Sequence, residues 1–256
     1  MESLDISYEV INRVGVVEVS RPPVNAMRYR DIAELDEFLQ DLPQNGELAV
    51  VFTSAGDDLF MAGHDVNDFT DWDPNEARSH TKTYMSLLYT VHRFPLPLIG
   101  AIDGAAAGAA TILASLFDVR IASPDASFSI PEINVGIVGG YGPIRRHLPD
   151  GVARYMMYSG EAISAERAYN FGMVSVLSEE PVAEALAFAE EVASKSPDAV
   201  RAAKAVALEA QPNWPLEEYR REREIISELR KGDNAGEAAS AFLEDREPNF
   251  NYSESK

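Results

Sequence analysis

No cysteine occurs in the 256 residues. That excludes disulfides and thiolate metal sites and fits a reducing compartment. Lysine is also scarce, 5 residues against 17 arginines, and 42 acidic residues outweigh the 22 basic ones for a formal charge of −20. Nucleic acid needs clustered Lys and Arg against its phosphates, so RNA and DNA are disfavoured as partners. An acidic, lysine-poor surface would suit a salt-rich medium in which repulsion is screened. The start, MESLDISYEV, lacks a basic stretch leading into an apolar core, so no signal peptide is expected and a soluble cytoplasmic protein is the default. Phosphate-loop patterns (GxGxxG after a first strand, GxxxxGK[ST]) are missing, as is the GxSxG elbow of serine hydrolases. The four histidines, His64, His80, His92 and His147, make neither HxxxH nor HExxH, so no metal site is expected.

What is present centres on Pro97–Asp118, PLIGAIDGAAAGAATILASLFD. A short apolar run, Leu98–Ile102, turns at Asp103-Gly104 and continues as Ala105–Phe117, which predicts strand, tight turn and buried helix. The first N–H groups of such a helix lack intrahelical partners and sit at the positive end of its dipole. Side chains as small as Ala106, Ala107, Gly108 and Ala109 let a ligand approach that backbone, which reads as an oxyanion site. A tightly packed core helix gives the same composition. A membrane span with Gly104 and Gly108 as a small-xxx-small pair is excluded by Asp103 and the break.

Before this stretch the pattern predicts a hairpin (Ile6–Arg13, Gly15–Ser20), a helix at Tyr29–Leu42 and a strand at Leu48–Thr53. The small-residue loop Phe60–Asp65 lies at that strand's exit, where ligands gather in open α/β sheets. Asp68–Asn75 reads as a surface loop or lid before a helix at about Glu76–Val91. Beyond the central stretch come strands at Asp118–Ala122 and Ser127–Ile130, a break at Pro131-Glu132, a flexible glycine turn at Gly136–Gly142 and a helix beginning at Ile144–Leu148. From Val152 the chain reads as helices at Val152–Ser159, Ala165–Phe171, Val182–Ser194, Asp198–Glu209, Leu216–Arg230 and Ala235–Leu243, with one strand near Met173–Leu177. This is an α/β rhythm of β-β-α units, divided as a core at 1–195 and a helical segment at 196–256.

Six patterns recur in order: PVNAM at Pro23–Met27, FxAGxD at Phe60–Asp65, IDGxAxGAA at Ile102–Ala110, DVRIAS at Asp118–Ser123, PExxxG at Pro131–Gly136 and EAASAFLEDREPNF at Glu237–Phe250. Together they resemble the crotonase superfamily, the enoyl-CoA hydratase/isomerase family, from end to end. The resemblance implies a spiral of β-β-α units with a helical trimerisation segment, assembled as homotrimers or hexamers, acting on acyl-CoA thioesters. Coenzyme A would enter as part of the substrate, with no separate cofactor. Two backbone N–H groups would hold the thioester oxygen, falling by position on Ala62 and Ala109. CoA contacts would fall on Gly63, His64 and Asp65, with Ala26, Gly108 and Phe242 near them. Glu132 matches the family's second catalytic glutamate, a task that a carboxylate performs well when burial lifts its pKa toward neutrality.

The family's first catalytic glutamate falls on Ile112, which carries no proton. The resemblance therefore implies one-glutamate chemistry: isomerisation of a 3-enoyl to a 2-enoyl thioester, hydration, or a single-carboxylate decarboxylase or lyase reaction. A non-catalytic acyl-CoA binder and an RNA-binding relative are the competing classes, and charge opposes the second. His64, Tyr84 and Tyr141 are candidates for a second proton donor. Near Phe242 the tail carries Asp245 and Glu247, leaving Arg246 as its cation, so Arg21, Arg28 and Arg30 are the candidates for a patch that meets the CoA phosphates.

Overall fold

The computed structural model describes residues 3–42, 46–56, 59–69, 74–210 and 216–251. Of the expected surface loop or lid at Asp68–Asn75, residues 70–73 lie outside them, while Asp68 and Phe69 end a 3-10 turn, Val66–Phe69, and 74–75 begin a helix. Elements run β1 (Asp5–Ile11), β2 (Val14–Ser20), β3 (Ala26–Met27), α1 (Tyr29–Asp41), β4 (Ala49–Ser54), β5 (Leu59–Met61), β6 (Gly63–His64), α2 (Pro74–His92), β7 (Leu98–Ile102), β8 (Ala105–Ala107) and α3 (Ala109–Ala114). They continue as β9 (Val119–Ala122), β10 (Ser127–Ser129), a 3-10 turn at Pro131–Val135, α4 (Tyr141–Ile144), α5 (Asp150–Ser159), β11 (Ile163–Ser164), α6 (Ala165–Asn170) and β12 (Val176–Leu177). Four helices close the chain: α7 (Pro181–Ala193), α8 (Pro197–Ala210), α9 (Leu216–Leu229) and α10 (Asp233–Leu243).

One sheet has the order β1-β2-β4-β7-β9-β12 and a smaller one β11-β10-β8-β5, while β3 pairs with β6. Among the described residues, β1-β2 and β10-β11 are the antiparallel pairs. From β4 onward the chain lays one strand in the large sheet and the next in the small one, as β4-β5, β7-β8 and β9-β10 do, which gives a spiral of β-β-α units. The large sheet is covered on both faces. One face looks into the main core with Val50, Phe52, Leu98 and Ile102, and the other packs Val51, Ile99 and Ala101 under Ala185, Ala189 and Ala193 of α7. Strands buried on both faces read as continuous apolar runs, as β4 and β7 do.

Two expectations fail locally. Ala105–Ala107 is strand, hydrogen-bonded between β5 and β10, and the helix shrinks to Ala109–Ala114. Alanine's helix propensity is overridden by sheet neighbours, and Gly108 at φ +57° marks the switch. The helix expected to begin at Ile144–Leu148 instead ends at Ile144, because it starts three residues earlier inside the glycine turn.

Several motif residues hold this frame together. The carboxamide of Asn25 accepts the Arg21 N–H at 2.7 Å and donates to the carbonyls of Ala55 at 2.7 Å and Phe60 at 3.1 Å, pinning the PVNAM loop beneath β5. Asp118 accepts from the Leu98 N–H and from Lys204 Nζ, which ties α8 to the rim of the large sheet. In the tail, α9 packs against α2 and α4, and α10 against the 3-10 turn that carries Glu132.

Candidate active site

A cavity of about 260 Å³ opens between the spiral and the C-terminal helices, and both Glu132 and Ala109 lie in its wall. Its first wall is built from two tight backbone passages. Gly63, at φ +82°, sits so close to the next passage that a Cβ there would stand 2.5 Å from the Ala107 carbonyl oxygen and 3.0 Å from the Ala109 nitrogen. At Gly108 the same addition would meet Glu132 Oε1 at 3.1 Å. Gly63 combines a positive φ with no room for a side chain between backbone atoms, so glycine is required there, while at Gly108 a side chain would be strained by its φ of +57° and would push the Glu132 carboxylate aside. The result is that the FxAGxD loop, the start of α3 and the PExxxG turn converge.

Glu132 is the centre of this convergence. It follows Pro131 in the 3-10 turn, and its Oε2 is buried without a hydrogen-bond partner. Burial pushes its pKa up to about 7, against a smaller downward pull from its own backbone N–H and from Arg223. A carboxyl poised there exchanges protons readily near neutral pH. Ile112 is 1 % exposed, lines the same cavity and abuts the backbone of Gly140. Glu132 is the one carboxylate among the described lining residues.

Ala109 is the first residue of α3, ahead of the helix's own ladder, which begins with the Ile112 N–H donating to the Gly108 carbonyl at 3.1 Å. Its amide is therefore available at the cavity wall. Ala62 also lines the cavity, but its N–H donates to the Val24 carbonyl at 3.1 Å. The expected pairing of Ala62 and Ala109 as twin donors is corrected on this point: one of the two amides is spent on the loop that Asn25 anchors.

Other expected residues divide in the same way. His64, Gly108 and Phe242 line the cavity. Desolvation and the cations of Arg223 and Arg230 press the His64 pKa down to about 3, so its ring is neutral at pH 7 and is no imidazolium acid. Ala26 and Gly63 pair with each other in the β3-β6 ladder behind the wall. Asp65 is spent structurally, accepting from Arg28 Nε at 3.0 Å and from the Asn67 side chain at 2.7 Å, and lies 3.6 Å from Arg21. Tyr84 is buried and donates its hydroxyl to the Ala109 carbonyl at 2.7 Å, steadying the start of α3 from behind. Tyr141 turns outward to Asp150 and is no cavity donor. Arg21 is no surface cation either, being buried against Asp31 at 2.8 Å, while Arg30 is exposed and Arg246 is engaged by Glu237 and Glu244.

The opposite wall was not anticipated. Tyr219, Arg223 and Ile226 of α9, with Arg230 just past its end, face the first wall across the cavity. Their spacing of 4, 3 and 4 residues follows one helical face, and that stripe is the available signal in LEEYRREREIISEL. A helix read as an oligomerisation element hid it. Glu222, also on α9, is raised in pKa by burial despite accepting the N–H groups of Tyr141 and Gly142.

The chain is similar to known proteins over nearly its whole length. The family model described as enoyl-CoA hydratase/isomerase matches residues 9–253. A probable enoyl-CoA hydratase of Bacillus subtilis is 31 % identical over 96 % of this chain and 98 % of its own length. The 2,3-dehydroadipyl-CoA hydratase of Escherichia coli is 31 % identical over 98 % of this chain and 99 % of its own. Among solved structures, an enoyl-CoA hydratase/isomerase from Pseudoalteromonas atlantica superimposes with a TM-score of 0.84 at 27 % identity, covering 98 % of this chain and all of that one.

Proposed function

Because the chain belongs to the enoyl-CoA hydratase/isomerase family of the crotonase superfamily, we propose that it moves a proton on an acyl-CoA thioester with Glu132 as the sole carboxylate, the leading reaction being isomerisation of a 3-enoyl to a 2-enoyl thioester. The observation that carries this reading is a cavity with one buried carboxyl near pKa 7 and Ile112 where a second would stand. In its ionised form Glu132 takes a proton from the α carbon, and the electron pair moves onto the thioester oxygen as an enolate. The Ala109 N–H donates to that oxygen; such donors are worth about 3 kcal/mol each in comparable sites. A second donor comes from the backbone of β6. There the Asp65 N–H is bound to the Met27 carbonyl at 2.9 Å, so the alternation of an extended strand turns the preceding His64 N–H to the opposite edge. The protonated Glu132 then returns its proton to the γ carbon, the double bond shifts from β-γ to α-β, and the carboxylate is regenerated. No water enters the balance.

Hydration of a 2-enoyl thioester is the second reading, favoured by the names of the Bacillus and Escherichia relatives. The deciding experiment compares kcat/KM for a 3-hexenoyl-CoA and a 2-hexenoyl-CoA with the purified protein. Isomerisation outrunning hydration by about tenfold or more, a barrier difference of about 1.4 kcal/mol, supports the proton shuttle. The reverse ratio assigns the site to hydration, and turnover of neither with tight binding of both makes the protein an acyl-CoA binder.

The tail is proposed to mediate a homotrimer or a dimer of trimers, with its boundary near residue 196. Ile225, Leu229, Phe242 and Leu243 of α9 and α10 are all at least 40 % exposed in the single chain. A monomer by light scattering, in both low and molar salt, would refute this.

A further inference from the structure

The turn at Gly136–Gly142 supplies part of the cavity wall, and its four glycines are not there for the same reason. Gly136 and Gly140 adopt φ +74° and +81°, and a Cβ would stand 2.7 Å from the Ala235 Cα at the first and 2.8 Å from Ile130 Cγ2 at the second. Gly142 is backed by Glu222 and Glu218, whose nearest atoms lie 2.8 and 3.1 Å from the place a Cβ would take. Gly139 has neither constraint. Its φ lies outside the left-handed range, and a Cβ there would meet Ile226 Cδ1 at 3.7 Å, Glu132 Cγ at 3.8 Å and Glu132 Cδ at 3.9 Å, all ordinary carbon contacts. Glycine loses more conformational freedom on folding than any other residue, and at 139 the backbone does not call for it. What the missing side chain leaves is a methyl-sized notch in the buried cavity wall, between the stem of Glu132 and the tip of Ile226.

The notch adjoins an apolar end of the cavity. Val135 and Ile137, just before Gly139 in the chain, pack with Ile226 in a small cluster of their own, with Val66 and Val138 against it. All five line the cavity. Branched hydrocarbon of this kind favours hydrocarbon and penalises a polar group brought there without a partner. Glu132 touches both ends of the site: its Oε1 faces Gly108, next to the Ala109 amide, and its Cγ and Cδ face Gly139. In a proton shuttle the carbonyl, α, β and γ carbons are engaged at that amide and that carboxyl. The carbons that reach the notch are therefore those from the fifth onward.

We propose that Gly139 is a specificity-determining residue: the notch beside Glu132 seats a hydrocarbon segment of the acyl group, so that the preferred substrate is a CoA thioester with an uncharged aliphatic chain longer than four carbons. The inference rests on the acyl-CoA reading above and names its substrate class.

Isothermal titration of the whole protein with butyryl-CoA and hexanoyl-CoA tests this without turnover, since both esters are saturated and differ by two methylenes. Each buried CH₂ is worth about fourfold in affinity, the equivalent of about 0.8 kcal/mol, so wild type is expected to bind hexanoyl-CoA about tenfold more tightly. Gly139→Ala puts a methyl group into the notch and should cut that gap to about threefold, and Gly139→Val should abolish it, the loss falling mainly on hexanoyl-CoA. Thermal melting separates this from a role in folding: the Ala variant should melt no lower than wild type, because alanine accepts the backbone and its methyl meets ordinary contacts. The Ala variant carries the test if Gly139→Val does not fold. Equal affinities in wild type, or an unchanged gap in the Ala variant, would overturn the proposal and leave the acyl-CoA reading in place. So would a lowered melting temperature with equal weakening of both esters, which would make Gly139 a glycine of the fold. A hexanoyl preference that Gly139→Ala narrows, with no turnover of any enoyl ester, would leave the notch standing and remove the catalytic reading instead.

Discussion

The two walls of the cavity are made by different physics. The spiral wall is backbone: glycines at 63 and 108, whose positive φ disfavours a side chain, a helix start at Ala109 and a turn that fixes Glu132. The α9 wall is side chain: Tyr219, Arg223 and Ile226 project from an ordinary helix whose local conformation would accept many residues. The backbone devices hold Glu132 and the Ala109 N–H in fixed places, whereas the side chains of α9 reach the cavity from a helix that tolerates substitution and act on Glu132 through charge.

The contrast can be broken most sharply at Glu132. Glu132→Gln keeps volume and removes the proton carrier, so kcat on an enoyl-CoA substrate should fall by about 10² to 10⁴-fold while the Kd of hexanoyl-CoA changes by less than about threefold. Stopped-flow kinetics beside titration calorimetry separates the two. A variant keeping a tenth of wild-type kcat would move the chemistry off this wall. The next effect is at Gly108. Gly108→Ala must place a side chain at φ +57° and 3.1 Å from Glu132 Oε1. The left-handed backbone costs roughly 1 kcal/mol or more in stability and the carboxylate must shift, so both the melting temperature and kcat should drop. An unchanged kcat would mean that Glu132 needs no fixed seat.

Much of the spiral wall was legible in the sequence for the reason just given: a glycine at a positive φ, or a Pro-Glu after a strand, leaves a mark in a one-dimensional pattern. Glu132, Ala109 and Ile112 came to the site through the resemblance that those marked motifs carry to a known family, and Gly108 through the small-residue stretch itself. The legible pattern was coarser about what each residue does. Asp65 and Asn25 belong to motifs as clear as that of Glu132, yet they serve ion pairs and loop anchoring. The fate of the Ala62 amide depended on a partner, Val24, 38 residues away in the chain. Ala105–Ala107 read as helix because nothing in three alanines announces the two strands that flank them. Arg223 and Arg230 were least legible, since an Arg on an amphipathic helix is usually a solvated charge, and only the packing of α9 against α2 and α4 encloses them.

The walls are also coupled through charge, with a definite sign. Arg223 favours the ionised form of Glu132. Arg223→Met removes that pull, so the acidic limb of the kcat/KM profile, set by the loss of the carboxylate base and expected near pH 7, should move to higher pH. Salt should not reproduce the shift, because the pair is shielded from mobile ions inside the cavity. A limb that stays in place or moves to lower pH would show that the two walls titrate independently.

The smallest effect concerns stability. The pKa of Glu132 is about 7 in the folded chain against 4.5 for the ordinary side chain, so the folded state holds the proton more tightly than the unfolded state does. This preference supports the fold in full below about pH 4.5, wanes as the unfolded chain ionises, and is gone once pH rises through about 7. Above that point folding carries the burden of a buried charge, on the order of 3 kcal/mol from the difference of the two values. Glu132→Gln removes the titration. Differential scanning at pH 8 should therefore find the variant more stable than wild type by several degrees, since about 1 kcal/mol moves the melting temperature of a chain this long by roughly 2–4 °C. At pH 4.5 the buried amide and the buried acid are both neutral, and the two melting temperatures should converge. A variant less stable than wild type at pH 8 would mean that the carboxylate is held by partners in the folded chain, and Glu132 would then be a structural anchor in place of a strained, reactive one.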